Sequence, residues 1–372
     1  MRVLHFFKTY WPDTFGGVER TIHAIATGTA SLGVQSDVLS LSKKSKENSL
    51  MFDGHQAHKA HLDLEFASTG FSREAFRRFH ELSEQADIIH YHFPWPFMDM
   101  VHLWERPRKP CLVTYHSDIV KQKLLLQLYR PLMKAFLKRI DKIVVTSPNY
   151  LATSTQLDGF KDKTTVIPIG IDPSLYPAVT DERKKHWQNR LPERFFLFVG
   201  VLRYYKGLHT LLEAAHLTGY PVVIVGEGPL ETSLKQQAQD LNLKNCHFLG
   251  SLPDEDKVIL LDLAYAFTFP SHLRSEAFGV SLVEASMFHT PMITCEIGTG
   301  TTFVNETNTS GLVVPPNDPK SFADAMTALW ENPEEQKCLG EGAFRRYQDL
   351  FTADKMAQAY YKVYQELLKN AA

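Results

Sequence analysis

The chain has 372 residues, 44% of them hydrophobic and 22% charged, with a formal net charge of −2. That length exceeds one ordinary hydrophobic core, so two domains are expected, and the near-neutral balance argues against a nucleic-acid binder. No run approaches 18 consecutive apolar residues, which excludes an apolar spanning helix. Cys111, Cys246, Cys295 and Cys338 lack metal or redox spacing and read as small hydrophobes of a reducing, cytoplasmic compartment.

In chain order, Met1-Arg-Val-Leu-His-Phe-Phe7 opens as a strand, without the three-part layout of a signal peptide. Strand candidates run at 3–7, 36–41, 88–92, 112–115, 142–146 and 165–169. A second set follows at 195–200, 222–225, 246–249, 266–269, 292–294 and 311–314. Helical stretches lie between them, the alternation that builds parallel sheets. Ile171-Asp172-Pro173, Tyr176-Pro177 and the charged run 181–185 have linker composition, which places a boundary near 180. Residues 1–180 carry 22 basic and 18 acidic side chains, and 181–372 carry 18 and 24, so the two halves suit different partners. An amphipathic helix over 356–368 closes the chain.

In the first half, Phe15-Gly16-Gly17-Val18-Glu19-Arg20 separates the first strand from an apolar helical run over 22–32. Paired glycines admit close backbone approach and a helix start offers amides to phosphate; a plain turn is the other reading. His90 and His92 share one strand face, and with no third ligand near in sequence they read as strand-end residues, not a metal pair. Val113-Thr-Tyr-His116-Ser-Asp118 puts His116 at a strand's carboxyl end, where an imidazole donates into a ligand site or simply caps the chain. From 119 to 139, Lys121, Lys123, Arg130, Lys134, Lys138 and Arg139 interleave with apolar residues and no acid. That stretch suits an anionic membrane surface or, equally, a solvated helix face.

In the second half, Gly200-Val-Leu-Arg203-Tyr-Tyr-Lys206-Gly207 follows a strand, and Arg203 with Lys206 makes either a diphosphate clamp or a solvated turn. Gly226-Glu-Gly228-Pro229 is a tight turn or a ligand contact, and Ser251-Leu-Pro-Asp254 borders the next strand. After a buried strand over 263–269 comes Pro270-Ser-His-Leu-Arg-Ser-Glu276-Ala277-Phe278-Gly279-Val280-Ser281-Leu282-Val-Glu284-Ala285. Strand, acidic loop, glycine, helix is the order in which an open α/β sheet places its ligands. The amides of 277–282 are expected to line the helix start and face a phosphate. If both glutamates are helical, their Cα atoms lie about 12 Å apart. That is wider than a carboxylate pair working on one glycosidic bond, and fits two contacts on one long ligand such as a nucleotide sugar.

The segment Glu276-Ala-Phe-Gly-Val-Ser-Leu-Val-Glu284 resembles the Glu-x7-Glu motif of retaining glycosyltransferase family 4. The ordered motifs extend the resemblance over nearly the whole chain. It implies an α/β fold of the GT-B type, with two Rossmann-like domains facing across a cleft: 1–180 for the acceptor, 181–351 for the nucleotide sugar, and the last helix, 352–372, packed back on the first. It also implies roles. Glu276 and the amides of Ala277, Phe278, Gly279, Val280, Ser281 and Leu282 would hold donor sugar and diphosphate, and Glu284 the ribose. Gly16 and Gly17 would face the diphosphate and acceptor, and His116 the donor sugar. Gly226-Glu-Gly228-Pro229 would lie near the base. Lys206 and Arg203 would stabilise the leaving diphosphate, without a metal. Many relatives place the arginine directly after the glycine, where this chain has Val201.

The segments 298–305 and 310–316, with Arg203-Tyr-Tyr-Lys-Gly207, look like bacterial O-antigen mannosyltransferases. The expected reaction is therefore transfer of mannose from GDP-mannose to a lipid-linked or saccharide acceptor, at the inner face of the cytoplasmic membrane. UDP-sugar donors, a nucleotide-sugar epimerase and a non-catalytic scaffold are the alternatives. An NAD-dependent oxidoreductase is disfavoured, because no Gly-x-Gly-x-x-Gly fingerprint is present.

Overall fold

Parallel strands covered on both faces need near-continuous apolar runs, and those runs organise the computed structural model. It describes residues 1–14, 16–43, 49–67, 69–119 and 123–371. The chain divides into two units, Met1–Gly170 with Ala353–Ala372, and Ile171–Thr352.

In the first unit the strands are β1 (Arg2–Phe6), β2 (Gln35–Ser42), β3 (Ser49–Phe52), β4 (His55–His61), β5 (Leu64–Phe66), β6 (Thr69–Phe71), β7 (Ile88–Phe93), β8 (Cys111–Tyr115), β9 (Lys142–Val145) and β10 (Thr164–Val166). Among the described residues, eight form one sheet in the order β10-β9-β8-β7-β1-β2-β4-β3, with β5 and β6 a separate pair. All neighbours in the large sheet are parallel except β3 against β4. β4 was not legible as a strand, because His55-Gln-Ala-His-Lys-Ala-His61 is mostly polar. Its burial is supported by polar partners for most of its side chains, although His55 Nδ1 is left without one. His58 Nε2 lies 2.9 Å from Asp37 Oδ1, and Lys59 Nζ donates to Tyr10 O at 2.8 Å and Ser40 Oγ at 3.0 Å. A buried polar group so partnered avoids the desolvation cost of an unpaired one.

The C-terminal helix, Ala353–Ala371, belongs to this unit. Its Tyr364 and Tyr360 hydroxyls reach His90 Nδ1 and Thr114 Oγ1 at 2.8 and 2.9 Å. A Cβ on Gly28 would stand 2.8 Å from the Ala357 Cβ, so the helix Gly17–Ala30 meets it closely.

The second unit contains β11 (Phe196–Val199), β12 (Val222–Val225), β13 (Cys246–Gly250), β14 (Ala266–Phe269), β15 (Met292–Cys295) and β16 (Gly311–Val314). They form an all-parallel sheet in the order β13-β12-β11-β14-β15-β16. Numbered within the unit this is 3-2-1-4-5-6, the doubly wound nucleotide-binding order, whose switch point lies between the first and fourth strands.

The boundary falls at Gly170/Ile171, ten residues before the expected 180. Ile171 N donates to Phe351 O at 2.9 Å and Tyr347 Oη donates to Ile171 O at 3.3 Å, which ties Ile171 to the second unit. The run expected as a strand over 263–269 begins at Ala266, since Leu263 ends the helix Asp254–Leu263.

Candidate functional site

β11 and β14 are neighbours, so the loops leaving their carboxyl ends flank the switch point of the second unit. The first loop carries Arg203 and Lys206, the second Glu276. Lys206 Nζ and Glu276 Oε2 stand 2.6 Å apart, each side chain 11% exposed. Ser271 Oγ donates to the same carboxylate oxygen at 3.5 Å, and the Phe269 ring centroid lies 4.5 Å from the ammonium. A charge pair this dry is held by geometry, and losing one partner strands the other in a low-dielectric site. Arg203 is exposed, and its amide donates to Val201 O at 2.8 Å.

The two loops are tied by close backbone approach. Gly207 has φ +68°, and a Cβ there would lie 2.0 Å from Pro270 O, so no side chain fits. His272 N donates to Tyr205 O at 3.0 Å. The His272 Nδ1 atom is buried without a partner. Desolvation and then His209 lower this imidazole's pKa.

Glu276 is not helical: its amide donates to Leu273 O, and the helix is Val280–Met287, after Gly279 at φ +90°. The 12 Å separation built on two helical glutamates therefore does not apply. Of the amides expected to line the helix start, Leu282's is already donated to Gly279 O at 2.9 Å. Those of Val280 and Ser281 are first-turn donors, which no helix satisfies from within. Ala277 and Phe278 are instead packed by the next loop: Gly300 N donates to Ala277 O at 2.8 Å, and a Cβ on Gly300 would touch Phe278. Arg274 Nη1 donates to Gly298 O at 2.8 Å.

Glu284 lies one turn into the helix, and Tyr176 Oη donates to its Oε1 at 2.9 Å. Sequence reading missed Tyr176, because its Tyr-Pro context resembles a linker. Gly226 and Gly228 have an internal purpose. Their Cβ positions would fall 2.1 Å from Gly200 O and 2.5 Å from Leu202 O, so the glycines let the β11 and β12 loops stack.

In the first unit, Gly16 caps the helix Gly17–Ala30; Phe15 lies outside the described residues. A Cβ on Gly16 would sit 3.0 Å from Glu19 Oε2, while one on Gly17 meets nothing within 4 Å. Glu19 is buried and its Oε1 accepts from the Thr9 and Thr14 hydroxyls, both at 2.7 Å. Glu19 thereby braces the loop, a role its place in the motif did not reveal. His116 follows β8 and is 9% exposed. Its Nε2 lies 3.1 Å from His92 Nδ1, and burial pushes its pKa down to about 3. A cavity of about 670 Å³ among Arg106, Arg108, Lys109, Arg139 and Lys142 opens at the amino ends of β8 and β9, the sheet edge opposite His116.

No third ligand lies near His90 and His92 in sequence, as expected, but one lies near them in space, and both sit within β7. Register pairs His5 on β1 with His90 on β7, and one ligand atom from each of the three imidazoles lies within 4.8 Å of the others. A partner 85 residues away is invisible to local spacing. The geometry is that of a stack, with His90 and His92 centroids 4.3 Å apart. Both His90 nitrogens are engaged, by Tyr364 and Thr114.

Of the basic stretch, Lys121 lies outside the described residues and the Lys123 side chain likewise. Within the helix Lys123–Arg139, Met133, Phe136 and Leu137 are buried, while Arg130, Lys134, Lys138 and Arg139 are exposed. Among the described residues no helix is long and apolar enough to cross a membrane.

Two such units, each built on a largely parallel sheet with helices between its strands, have the architecture of the GT-B fold. Sucrose-phosphate synthase from Thermosynechococcus elongatus superposes with a TM-score of 0.81 over 99% of both chains at 22% identity. Anabaena HepE in complex with UDP gives 0.79, over 98% of this chain and 100% of that one, at 17% identity. The family model for glycosyl transferases group 1 matches residues 179–346, and that for glycosyltransferase family 4 matches 15–175. D-rhamnosyltransferase WbpZ of Pseudomonas aeruginosa is 54% identical, covering 95% of this chain and 93% of its own. O-antigen chain mannosyltransferase C of Escherichia coli is 48% identical over 100% of both. The chain belongs to this glycosyltransferase family.

Proposed function

We propose that the enzyme transfers mannose from GDP-mannose to a lipid-linked or saccharide acceptor of O-antigen synthesis, at the cytoplasmic face of the membrane and with retention of configuration. The observation that carries this reading is the dry Lys206–Glu276 pair at the switch point of a nucleotide-binding sheet. Glu276 orients the donor sugar, and Lys206 with exposed Arg203 offsets charge on the departing diphosphate. Val280 and Ser281 amides offer first-turn donors to a phosphate oxygen. Glu284, held by Tyr176, takes the ribose hydroxyls. In the transfer, the bond from the anomeric carbon to the diphosphate oxygen breaks. The acceptor hydroxyl oxygen bonds to that carbon on the same face, and its proton passes to the departing phosphate oxygen. The exposed cations of the helix Lys123–Arg139 suit an anionic headgroup surface.

A second donor is favoured by the relative at 54% identity, which is named a D-rhamnosyltransferase; D-rhamnose is mannose without its 6-hydroxyl. The deciding experiment is a thermal-shift panel of GDP, UDP, ADP and TDP without metal. Transfer from GDP-mannose and from its 6-deoxy analogue to a lipid-linked acceptor follows. Selective stabilisation by GDP and preferred turnover of GDP-mannose support the first reading. Preference for the deoxy donor supports the second, and stabilisation by UDP alone overturns both.

A further inference from the structure

Three imidazoles form a hydrogen-bonded row that runs from the carboxyl end of β8 into the core of the first unit. His116 Nε2 lies 3.1 Å from His92 Nδ1, and His92 Nε2 lies 3.1 Å from His5 Nδ1. The row ends at His5 Nε2, which is buried with no partner. His90 stacks beside it, 4.3 Å from His92 and 4.8 Å from His5 by ring centroid. Its own nitrogens are committed to Tyr364 and Thr114, so it walls the row without joining it. Burial depresses the pKa of all four rings, that of His5 and His116 to about 3. They are therefore neutral, and each ring carries one N–H.

Neutral rings in such a row have only two self-consistent arrangements. Either every ring holds its proton on Nδ1, so that His5 donates to His92 and His92 to His116, or every ring holds it on Nε2 and donation runs inward. The inward arrangement leaves an N–H at His5 Nε2 sealed in the core without an acceptor. The outward one leaves only an unused lone pair, and orphaned buried donors are the rarer defect. Asp37 is the carboxylate whose charge reaches His5, but it is already taken by Arg2 Nε at 2.6 Å and His58 Nε2 at 2.9 Å. It therefore gives little inducement for an N–H at the closed end. Because that end has no outlet, one ring cannot switch alone.

We propose that His92 and His5 are positioning residues that lock His116 as its Nδ1–H tautomer, so that His116 presents a hydrogen-bond donor to a hydroxyl oxygen of the bound sugar and acts neither as base nor as acid. The identity of that acceptor rests on the function proposed above; the lock does not.

The test is a long-range ¹H–¹⁵N correlation spectrum of the full chain labelled with [¹⁵N]histidine, with His116 assigned by loss of its signals in His116→Asn. The expected result is a protonated, pyrrole-type Nδ1 and a bare, pyridine-type Nε2 for His5, His92 and His116, unchanged from pH 7.5 to 5.5. A bare Nδ1 on His116, or shifts averaged between tautomers, overturns the proposal whatever the activity. In His92→Phe the His116 signals should average, and the donor KM should rise about fivefold to tenfold, the worth of one neutral hydrogen bond. In His92→Asn, which retains a donor at the Nδ1 position, KM should recover while kcat stays level. If His92→Phe does not fold, the wild-type spectrum decides alone. A locked tautomer with unchanged donor KM in His116→Phe, which has no donor at that position, would sink the assigned acceptor and leave the lock standing.

Discussion

Acid should loosen the first unit well before the second. The perturbation is a change from pH 6.5 to pH 5.0. His5 and His116 have folded-state pKa values lowered to about 3, against roughly 6.5 in an unfolded chain. Below pH 6.5 the unfolded chain therefore binds protons that the folded unit refuses, and stability falls as pH falls, until the folded pKa is reached. Each such group costs about 1.4 kcal/mol per pH unit, so about 2 kcal/mol at pH 5.0. His55 and His102, lowered to about 4 by burial, act in the same direction. One buried carboxyl opposes them: Asp99 is held protonated by desolvation and contributes stability that is lost as pH rises. His90 and His92, also lowered by burial, add to the four histidines, and one group against six leaves a net loss of at least about 2 kcal/mol, a large part of a domain's total. The assay uses the chain's own thiols. Cys111 is buried in the first unit and Cys295 in the second, while Cys338 is an exposed control. Urea titrations at each pH, read by a dithiodipyridine pulse and peptide mass spectrometry, report each unit separately. The Cys111 midpoint should fall far more than that of Cys295. Equal shifts, or none at Cys111, would refute the idea that these histidines are neutral in the fold.

Three further outcomes are expected. Lys206→Ala should lower kcat by about 10²-fold, as removing a charge-stabilising group at a reacting centre does. It should also destabilise the second unit by about 3 kcal/mol by stranding Glu276, whereas Lys206→Met with Glu276→Gln should restore stability but not turnover; steady-state kinetics and urea melts separate the two. Tyr176→Phe should weaken nucleotide binding about fivefold by freeing Glu284, measured by calorimetry with GDP; an unchanged affinity would remove Glu284 from the ribose contact. Gly207→Ala should destabilise the second unit by at least about 2 kcal/mol, because its Cβ meets Pro270 O at 2.0 Å in a left-handed conformation; a lower Cys295 unfolding midpoint would register it.

The strands that the sequence revealed are those whose burial is met by apolar side chains. Val222–Val225 is Val-Val-Ile-Val and fully buried, so composition alone marks it. β4 escaped because its burial depends on Asp37, Tyr10 and Ser40, partners contributed by other segments. The candidate site divides in the same way. Glu276, Lys206 and His116 stand in local motifs that sequence can display, whereas Tyr176 and His5 acquire their partners only through chain crossings 108 and 87 residues long. The order acidic loop, Gly279, helix was legible locally and puts Glu276 in the loop, where it stands; only the conditional distance between two helical glutamates falls away.

The placement of Ala353–Ala371 has a consequence for biosynthesis. Residues up to Gly170 leave the ribosome while the helix that supplies Tyr360 and Tyr364 to their sheet is still untranslated, with the whole of Ile171–Thr352 to come first. At about 5–20 residues per second that interval is roughly 10–40 s. Throughout it the His90 and Thr114 side of the nascent sheet lacks its cover, and a nonsense codon late in the message would injure the beginning of the protein while sparing its middle.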